Sequence, residues 1–493
     1  MAKSVLVLGA GFSGLSVATT LASQGYDVTV LEKHSEAGGR ARAFEQMGFK
    51  FDMGPSWYWM PDVFEKYYNR FGYKTSDFYN LIRLDPSYSV FWSKDERIDV
   101  PADMDQLIDL FETEDPGSGI RLKKFLEEAG YKYEVGINKL VYKPGRNWSE
   151  FIDLQLISGV FKLDVFSSLS KHVRKVTQNK KLIQILEFPV LFLGATPQNT
   201  PALYSLMNYA DLVLGTWFPQ GGMVQIVGAM KKIADEQGVK FKFDSAVSSI
   251  ILESGKVTGV KCGNQIYKAD AVVSSADYHY TEKNLLPPEA RSYSEKYWNS
   301  RVMAPSALIY YLGINKRIKG LSHHNLFFDA PFEHHAHQIY KKPEWPDSPL
   351  FYASMTTATD ASGAPDGMEN LFLLVPVASG LSDTSEIREK YFQMILERIE
   401  KITGEAITEH IVYRRDFAYN DFINEYGSFK GNAYGLANTL KQTAILKPGL
   451  KSKKISNLYY TGQLTVPGPG VPPALISGQV VAAELMKEFP LKN

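Results

Sequence analysis

Ten residues near the amino end decide how this chain folds: Val5-Leu6-Val7-Leu8-Gly9-Ala10-Gly11-Phe12-Ser13-Gly14. The four apolar residues 5–8 predict a short strand that is buried on both faces. A helical pattern over residues 15–23, which we expect Gly25 to end, is followed by a β-branched run over residues 28–31. The order strand, G-x-G-x-x-G, helix and strand is typical of a βαβ unit that binds a dinucleotide.

The three glycines and the acid after the second strand each have a physical role in such a unit. Gly9 permits the tight turn, Gly11 lets backbone amides approach a pyrophosphate, and Gly14 allows the helix to pack closely on the strand. The first turn of the helix offers unpaired N–H groups to phosphates. Glu32 stands where a carboxylate accepts both hydroxyls of an adenosine ribose, which favours FAD or NAD over NADP. A purely structural βαβ unit is the alternative.

A second glycine turn narrows the choice of nucleotide. It reads Gly38-Gly39-Arg40-Ala41-Arg42, and a rigid turn, Met53-Gly54-Pro55, follows a short strand shortly after it. A domain that binds NAD alone has no use for this turn, whereas FAD needs a second cradle for its pyrophosphate and ribityl chain. We therefore expect these residues to bind FAD in addition to those above: Lys33, Gly39, Arg40, Arg42, Gly54 and Pro55. The alternative for residues 38–42 is a basic surface turn.

These motifs resemble the flavoprotein superfamily of amine oxidases and carotenoid desaturases, in which G-x-G-x-x-G, an acid, G-G-R and F-D-x-G-P follow in this order. The resemblance implies an α/β fold, with a Rossmann-type FAD-binding domain (an amine-oxidase-like flavoprotein fold) and an inserted α+β substrate domain. It also implies that the backbone of Val247 contacts the adenine and that a strand within residues 269–276 completes the sheet.

The length of the chain allows two or three domains, since it has 493 residues of which 44% are hydrophobic. Residues 85–215 show no βαβ character, whereas patterns of that kind return after residue 216. We therefore expect a discontinuous FAD-binding domain made of residues 1–84, 216–285 and 445–493. Residues 85–215 and 286–444 are expected to form the domain that binds the substrate and contacts the membrane.

The composition argues against several partners and linkages. The 54 basic side chains balance 54 acidic ones, and a neutral chain is a poor candidate for nucleic acid binding. The single cysteine, Cys262, leaves no internal disulfide and fits a reducing compartment. The apolar run at residues 5–8 is too short for a secretion signal, and no run of 18 apolar residues predicts a transmembrane helix. The oligomeric state is left open.

One stretch predicts contact with a membrane surface. Residues 151–169 are apolar nearly all round a helix, and they lead into six basic residues: Lys171, His172, Arg174, Lys175, Lys180 and Lys181. This pattern is typical of a protein that dips into an anionic lipid surface, although a buried helix with a solvated basic end is the alternative. We expect a cytoplasmic protein that associates peripherally with the inner face of the cell membrane.

Two clusters of aromatic and histidine residues carry further predictions. Trp57-Tyr58-Trp59 either lines a pocket for an apolar substrate or packs in the core. Five of the nine histidines lie within residues 323–337. Because their spacing fits no zinc motif, we expect a mobile polar loop there and no metal site.

The carboxyl-terminal part repeats the strand, turn and helix order. Residues 457–462 predict a strand, residues 466–473 a rigid turn of prolines and glycines, and residues 474–487 a helix. The positive end of that helix, if directed at the flavin N1–C2=O edge, favours the reduced ring. Four residues therefore join the expected FAD contacts: Gly462, Gly470, Val471 and Pro472.

With these features, the whole chain resembles the bacterial phytoene desaturases of the carotenoid desaturase family. It departs from many members at Val466, where they have histidine, and at Gln463, where many related flavoproteins have an acid. The resemblance implies stepwise, FAD-dependent dehydrogenation of phytoene towards lycopene, with electrons passed to a quinone or oxygen. Because an apolar polyene offers no heteroatom to bind, we expect an apolar tunnel. Asp153 is the candidate proton acceptor.

Three alternatives remain open from the sequence. The first is a 3,4-desaturase of hydroxylated or cyclised carotenoids, and the second is an amine or porphyrinogen oxidase of the same fold. The third is a flavin-free escort protein for prenyl lipids, against which the intact glycine motifs and Glu32 argue.

Overall fold

The computed structural model describes residues 3–147, 150, 167–194, 196–439 and 442–491. The base of the fold is a parallel sheet whose central strands come from the amino-terminal segment. Its five strands are β1 (Ser4–Leu8), β2 (Asp27–Leu31), β9 (Lys240–Lys242), β13 (Ala271–Ser274) and β19 (Leu458–Tyr460). They lie in the order β19-β13-β1-β2-β9 and all pair in parallel. The predicted strands at residues 5–8, 28–31 and 269–276 are confirmed.

Helix α1 (Phe12–Ala22) packs against α14 (Val471–Glu488) and α8 (Val224–Glu236). It begins three residues before the predicted start, and Gly25, with φ +90°, lies in the turn after its end. The approach of α14 is close, because a Cβ at Gly478 would lie 2.5 Å from the Ser13 carbonyl oxygen. The Ser16 hydroxyl donates to the Leu475 carbonyl oxygen at 2.7 Å and ties the two helices together.

A seven-stranded sheet forms the second large layer. Its strands are β6 (Tyr88–Phe91), β7 (Arg97–Val100), β14 (Ser306–Ile314), β15 (His324–Phe327), β16 (Phe351–Ser354), β17 (Glu369–Val377) and β18 (Ile411–Phe417). They lie in the order β18-β14-β17-β16-β15-β6-β7, and only the β15–β6 pair is parallel within the described ranges. Helix α12 (Ser385–Thr403) contributes Ile395 and Leu396 to an apolar cluster with this sheet, which confirms the predicted helix at residues 386–402.

Three smaller sheets and ten further α-helices are described, besides short 3₁₀-helices and two π-helices. The strands are β3 (Ala43–Gln46), β4 (Phe49–Asp52), β5 (Leu81–Arg83), β8 (Trp217–Pro219), β10 (Val247–Glu253), β11 (Lys256–Cys262) and β12 (Gln265–Lys268). The helices are α2 (Pro61–Asn69), α3 (Met104–Glu114), α4 (Ser118–Val135), α5 (Leu169–Val173), α6 (Lys180–Glu187), α7 (Leu206–Asn208), α9 (Tyr278–Leu285), α10 (Glu295–Asn299), α11 (Phe332–Tyr340) and α13 (Tyr419–Tyr426). Strands β5 and β8 pair with each other, so the two ends of the predicted insertion 85–215 meet. The division into two domains stays a prediction.

The expectation of a mobile polar loop at residues 323–337 is wrong. His324 begins β15 and is fully buried, and His335 lies in α11 at 2% exposure. The Nε2 of His335 donates to the Pro376 carbonyl oxygen at 2.9 Å, and its Nδ1 accepts from the Leu350 N–H at 3.0 Å. Burial lowers the pKa of His335 to about 4, so the ring is neutral. A neutral imidazole whose two nitrogens are both hydrogen-bonded can pack in a core. The run of histidines in the sequence does not indicate these bonds.

The stretch predicted to contact a membrane lies partly outside the described residues, because residues 151–166 do. His172 is buried in α5, while Arg174 pairs with Glu187 at 2.6 Å and Lys181 with Glu96 at 3.0 Å. Half of the six basic groups are thus buried or engaged within the protein. None of the helices in the described part of the chain is both long and apolar enough to cross a bilayer.

Candidate functional site

Glu32 joins two loops at the carboxyl end of the parallel sheet. It is 5% exposed, and its carboxylate accepts from the Ala10 N–H at 2.7 Å and from the His34 N–H at 3.0 Å. Since an ionised carboxylate accepts about four hydrogen bonds, both oxygens keep capacity for ribose hydroxyls. The Glu32 carbonyl oxygen also accepts from the Ser245 N–H at 2.8 Å, which brings the segment before Val247 to this end of the sheet.

The two glycine turns are in contact with each other. A Cβ at Gly39 would lie 3.3 Å from the Gly11 Cα. Gly14 leaves no room for a side chain, since a Cβ there would lie 2.0 Å from the Gly9 carbonyl oxygen. At Gly11, in contrast, a Cβ would meet nothing within 4 Å. The backbone at Gly11 therefore faces open space, as the approach of a pyrophosphate requires.

Arg40 brings a cation to the same turns. Its Nη2 donates to the Ser428 hydroxyl, and its guanidinium lies 5.0 Å from the centre of the Tyr426 ring. Its Nε is buried and has no hydrogen-bond partner among the residues described. Burial lowers the pKa of Arg40, and the nearby Asp277 carboxylate opposes that shift. A buried guanidinium with a free N–H beside a glycine cradle fits an anionic group such as a pyrophosphate.

The other two basic residues predicted to bind FAD contact α13. Arg42 Nη2 donates to Glu425 Oε2 at 2.8 Å, and Lys33 Nζ donates to the Asn424 carbonyl oxygen at 3.0 Å. Each of these contacts occupies an N–H group that could otherwise donate to a phosphate. The binding of FAD by Arg42 and Lys33 therefore stays a prediction.

The rigid turn after β4 packs on the second glycine turn. A Cβ at Gly54 would lie 2.6 Å from the Arg40 carbonyl oxygen, and Pro55 follows half-buried. Asp153, the candidate proton acceptor, lies outside the described residues.

The carboxyl-terminal loop reaches the start of α1. The Gly462 N–H donates to the Ser477 hydroxyl at 3.0 Å, and a Cβ at Gly462 would lie 3.2 Å from the Ser13 hydroxyl oxygen. The three other predicted contacts lie together where α14 begins: Gly470, Val471 and Pro472. The predicted site residues from both ends of the chain thus surround one edge of the parallel sheet, the edge at which such folds bind dinucleotides.

A second feature is an apolar cavity between α11 and the strands β15, β16 and β17. Its walls include Phe188, Leu326, Phe332, Tyr340, Tyr352 and Tyr434. A more open depression around Asp383, Arg388 and Asp416 is lined by charges and does not suit an apolar ligand. The first cavity is small, and it therefore is the candidate site for one end of an apolar substrate.

The aromatic cluster at residues 57–59 packs in the core next to the walls of this cavity. Tyr58 is fully buried, and its hydroxyl lies 3.0 Å from the Tyr79 hydroxyl. The Trp57 ring lies 5.9 Å from the Phe188 ring and 5.6 Å from the Tyr352 ring, so it stands directly behind two wall residues. Core packing, the second of the two predicted roles, is what the structure shows for Tyr58 and Trp59, and a role in lining a substrate pocket stays a prediction.

A buried polar cluster adjoins the same wall and was not predicted. His324 Nδ1 lies 2.6 Å from the Tyr352 hydroxyl, and its ring stacks on Trp57 with centroids 4.1 Å apart. The Nε2 atoms of His323 and His324 have no hydrogen-bond partner within the described ranges. Burial lowers the pKa of His323 to about 3 and also lowers that of His324, so both rings are neutral.

Asp211 is a second buried group without a sequence motif. It accepts hydrogen bonds at 3.0 Å from the hydroxyls of Tyr88 and Thr216, and burial raises its pKa to about 7. No cluster of three His, Cys, Asp or Glu side chains that could hold a metal ion occurs in the part of the chain described.

Comparison with known proteins identifies the family. The sequence profile of the flavin-containing amine oxidoreductases matches residues 12–486. The chain is 40% identical to a carotenoid 3,4-desaturase of Haloarcula japonica over 489 residues, which cover 99% of each protein. It belongs to the carotenoid desaturases of this family. The desaturase is also 30% identical to a zeta-carotene-forming phytoene desaturase of Myxococcus xanthus, over 98% of its own length and 94% of the relative.

Solved structures confirm the predicted fold class. An oxidoreductase from Methanosarcina mazei superimposes with a TM-score of 0.62 at 18% identity, over 97% of the desaturase and 100% of the other chain. The desaturase is an FAD-dependent oxidoreductase that acts on CH–CH groups, as predicted. The alternatives of an amine oxidase and of a flavin-free escort protein do not apply, because its full-length relatives are carotenoid desaturases.

Proposed function

We propose that this desaturase introduces the 3,4 double bond into a hydroxylated acyclic carotenoid. The observation that carries the proposal is the 40% identity, over nearly the whole of both chains, to a relative named as a carotenoid 3,4-desaturase. The C3–C4 bond lies near one end of a carotenoid. An enzyme that acts there must fix that end, and a hydroxyl near the end offers a polar group to bind.

The cavity and the polar cluster behind it support such a substrate. The cavity has the apolar lining that a polyene needs, and the hydroxyl of its wall residue Tyr352 contacts His324. A buried nitrogen without a partner is costly, by about 1–3 kcal/mol. The cluster would therefore favour a substrate hydroxyl, which pairs with the buried nitrogen, over a methyl group, which leaves it unpaired.

The residues of the chain divide the work of the reaction. When bound, FAD accepts a hydride from one of the two substrate carbons. Glu32, Arg40 and the two glycine turns hold the cofactor, and the cavity walls exclude water and align the polyene. A base must take the proton from the neighbouring carbon, and Asp153 stays the candidate for that role.

Stepwise desaturation of phytoene towards lycopene is the second candidate. It is favoured by the 30% identity to a zeta-carotene-forming phytoene desaturase, which also extends over almost the whole chain.

Product analysis separates the two candidates. The holoenzyme is incubated in liposomes with a quinone and one of three substrates: phytoene, a hydroxylated acyclic carotenoid whose C3–C4 bond is saturated, or a cyclised carotenoid. We expect one added double bond in the second substrate and no change in phytoene. Conversion of phytoene to lycopene would establish the second candidate, and conversion of a cyclised carotenoid alone would overturn both.

Two variants test the polar cluster. His324→Phe keeps the stacking on Trp57 but loses the ring nitrogens, so we expect the preference for a hydroxylated over a non-hydroxylated substrate to fall roughly tenfold. Tyr352→Phe removes the same hydrogen bond from the other side, and we expect a fall of similar size. Unchanged selectivity in both variants would contradict the role given to the cluster.

We propose further that the enzyme takes its substrate from the inner face of the cell membrane and passes electrons to a quinone or oxygen. The insolubility of the substrate supports membrane contact, and Lys171, Lys175 and Lys180 remain exposed. Co-sedimentation with anionic but not zwitterionic vesicles is expected. Formation of hydrogen peroxide under air, without quinone, would identify oxygen as the acceptor.

A further inference from the structure

Two buried polar atoms near the carboxyl-terminal loop have no hydrogen-bond partner among the described residues, which is energetically unfavourable for buried groups. The Lys447 ammonium and the Asn438 side-chain oxygen belong to residues that are each 5% exposed. Neither atom forms a hydrogen bond with any residue that the structure describes. An unpaired buried cation is expensive, and an unpaired buried amide oxygen adds to that cost. The pair therefore points to a ligand that is bound in the functional protein.

Both atoms converge on one place in the loop between β19 and α14. A Cβ at Gly468 would lie 2.9 Å from Lys447 Nζ and 3.1 Å from Asn438 Oδ1. The Thr465 hydroxyl donates to the Pro448 carbonyl oxygen at 2.7 Å, which fixes the residue after Lys447 against this loop.

This loop extends from the edge of the sheet where the cofactor residues meet. Gly462, at its start, lies against Ser13 of α1, and its end at Gly470 leads into α14. The segment that follows Lys447 is also held, because the Tyr460 N–H donates to the Leu450 carbonyl oxygen at 2.8 Å. The polar pair is therefore held by several contacts beside the part of the cofactor site that the carboxyl-terminal loop forms.

The chemistry of the pair selects one part of FAD. Lys447 offers donors only, and Asn438 Oδ1 is an acceptor. A ligand that satisfies both presents an acceptor next to a donor. The pyrimidine edge of the flavin ring does so, because its C2 and C4 carbonyl groups flank the N3–H. The ribityl chain and the pyrophosphate do not present this pairing in a fixed plane, and the adenine edge, which does, is expected beside Val247.

We propose that Lys447 and Asn438 bind the pyrimidine edge of the flavin, with Lys447 donating to a ring carbonyl and Asn438 accepting from N3–H. This contact does not depend on which carotenoid is the substrate. A cation held there favours the ring after it has gained electrons, because the reduced ring carries negative charge at N1–C2=O. Burial lowers the pKa of Lys447 to about 7 when no partner is present, and a carbonyl acceptor opposes that shift.

Reduction of the bound flavin tests the role of Lys447 without any carotenoid. The holoenzyme and its Lys447→Met variant are equilibrated with a reference dye under reducing conditions, and the oxidised and reduced flavin are read from their absorbance. We expect the equilibrium constant for reduction to fall at least tenfold in the variant, which corresponds to about 30 mV for a two-electron couple. Lys447→Arg keeps the charge and should stay close to the wild type. Lys453→Met, which removes an exposed lysine nearby, is the matched control.

A cofactor analogue tests the role of Asn438. The apoprotein is reconstituted with FAD or with 3-methyl-FAD, in which the N3–H donor is replaced by a methyl group. We expect wild-type protein to bind the analogue at least tenfold more weakly than FAD, and Asn438→Ala to reduce that ratio to about threefold or less. This change in ratio would not follow from a purely structural role.

Two results would overturn the proposal. One is a reduction equilibrium in Lys447→Met that equals that of Lys453→Met while FAD is bound at full stoichiometry. The other is equal affinity of the wild-type protein for FAD and 3-methyl-FAD, which decides the matter even if Lys447→Met fails to fold. Neither measurement involves the substrate, so a failure here is distinct from a failure of 3,4-desaturation.

Discussion

Glu32 acts at the scale of a single residue as both a support and a ligand. Its carboxylate holds the N–H groups of Ala10 and His34, which belong to the two loops that flank the cofactor edge. The remaining lone pairs are those that a ribose would use. Loss of this side chain therefore weakens the cofactor contact and the shape of the loops together.

Glu32→Ala should release FAD. Hydrogen bonds to a charged group are each worth about 1.5–3 kcal/mol, so we expect roughly ten- to hundredfold weaker binding. Flavin absorbance after gel filtration and a fluorescence titration of the apoprotein measure the effect. Glu36→Gln, an exposed carboxylate four residues on, is the control and should bind FAD normally. Full retention of flavin in Glu32→Ala would contradict the assignment.

Asp211 should make stability depend on pH. Its pKa is raised from 3.8 to about 7, so between these values the folded state keeps a proton that the unfolded state has lost. The free energy of unfolding therefore falls as pH rises through this window, by up to about 4 kcal/mol from this group. Asp211→Asn should remove that part of the slope and be more stable than wild type at pH 8.

Denaturant unfolding at a series of pH values measures the difference between the two proteins. Asp95→Asn, at an exposed carboxylate, should leave the pH dependence unchanged. Parallel curves for wild type and Asp211→Asn would show that the buried carboxyl is ionised throughout.

Residues of the cofactor site were predictable where a local motif specifies them. Gly11, Gly39 and Glu32 follow strands at fixed spacing, and the structure brings them together. Asp211 and Asn438 were not predictable, because their environment comes from segments distant in sequence. His335 was misjudged for a related reason, since its polar nitrogens are bonded to backbone groups of two other segments.

At the scale of elements, the contact between α1 and α14 depends on one missing side chain. A Cβ at Gly478 would lie 2.5 Å from the Ser13 carbonyl oxygen and 2.7 Å from the Ser16 Cβ. The two helices can approach this closely only with glycine at the crossing.

Gly478→Val should separate the two helices. Overpacking of this kind costs about 1–3 kcal/mol, and FAD affinity should fall as well because Ser13 and Gly462 are neighbours at the cofactor edge. Gly228→Ala in α8 is the matched control, since a Cβ there would meet nothing within 4 Å. That control should be stabilised by about 0.5–1 kcal/mol. Equal melting temperatures for the two variants would refute the packing argument.

Elements with a clear period were predictable and others were not. The strands β1 and β13 and the helices α12 and α14 follow from apolar runs and helical periodicity. Helix α11 was missed, because its histidines and its short length conceal an apolar face that packs at the cavity. The cavity itself required the order of strands in the seven-stranded sheet, which no local pattern contains.

At the scale of the whole molecule, FAD should stabilise the fold across distant segments. The predicted contacts come from residues 9–55, from Val247 and from residues 462–472, so a bound cofactor links all three. At a concentration of FAD one hundred times its dissociation constant, the added stability is about 2.7 kcal/mol.

Thermal unfolding of the apoprotein with increasing FAD tests this link. The melting temperature should rise with FAD concentration in wild type, and in Glu32→Ala it should rise only at roughly ten- to hundredfold higher FAD concentrations. A rise of equal size at the same FAD concentrations in that variant would mean that FAD binds elsewhere.

The predicted domain plan follows from the alternation of βαβ and other patterns along the chain. Pairing of β5 with β8 closes the sequence between them into an insertion, which supports the boundary near residues 84 and 216.

The last strand of the parallel sheet, β19, and the helix α14 that packs on α1 are the last of these elements to be synthesised on the ribosome. A nascent chain makes β1, β2 and α1 first, yet the helix that covers α1 is translated only after more than 400 further residues. Until then α1 lacks one of the two helices that cover it, and the cofactor edge lacks the loop at residues 462–470. We therefore expect flavin to bind only after the carboxyl-terminal segment has been made, and a prematurely terminated chain to lack bound flavin.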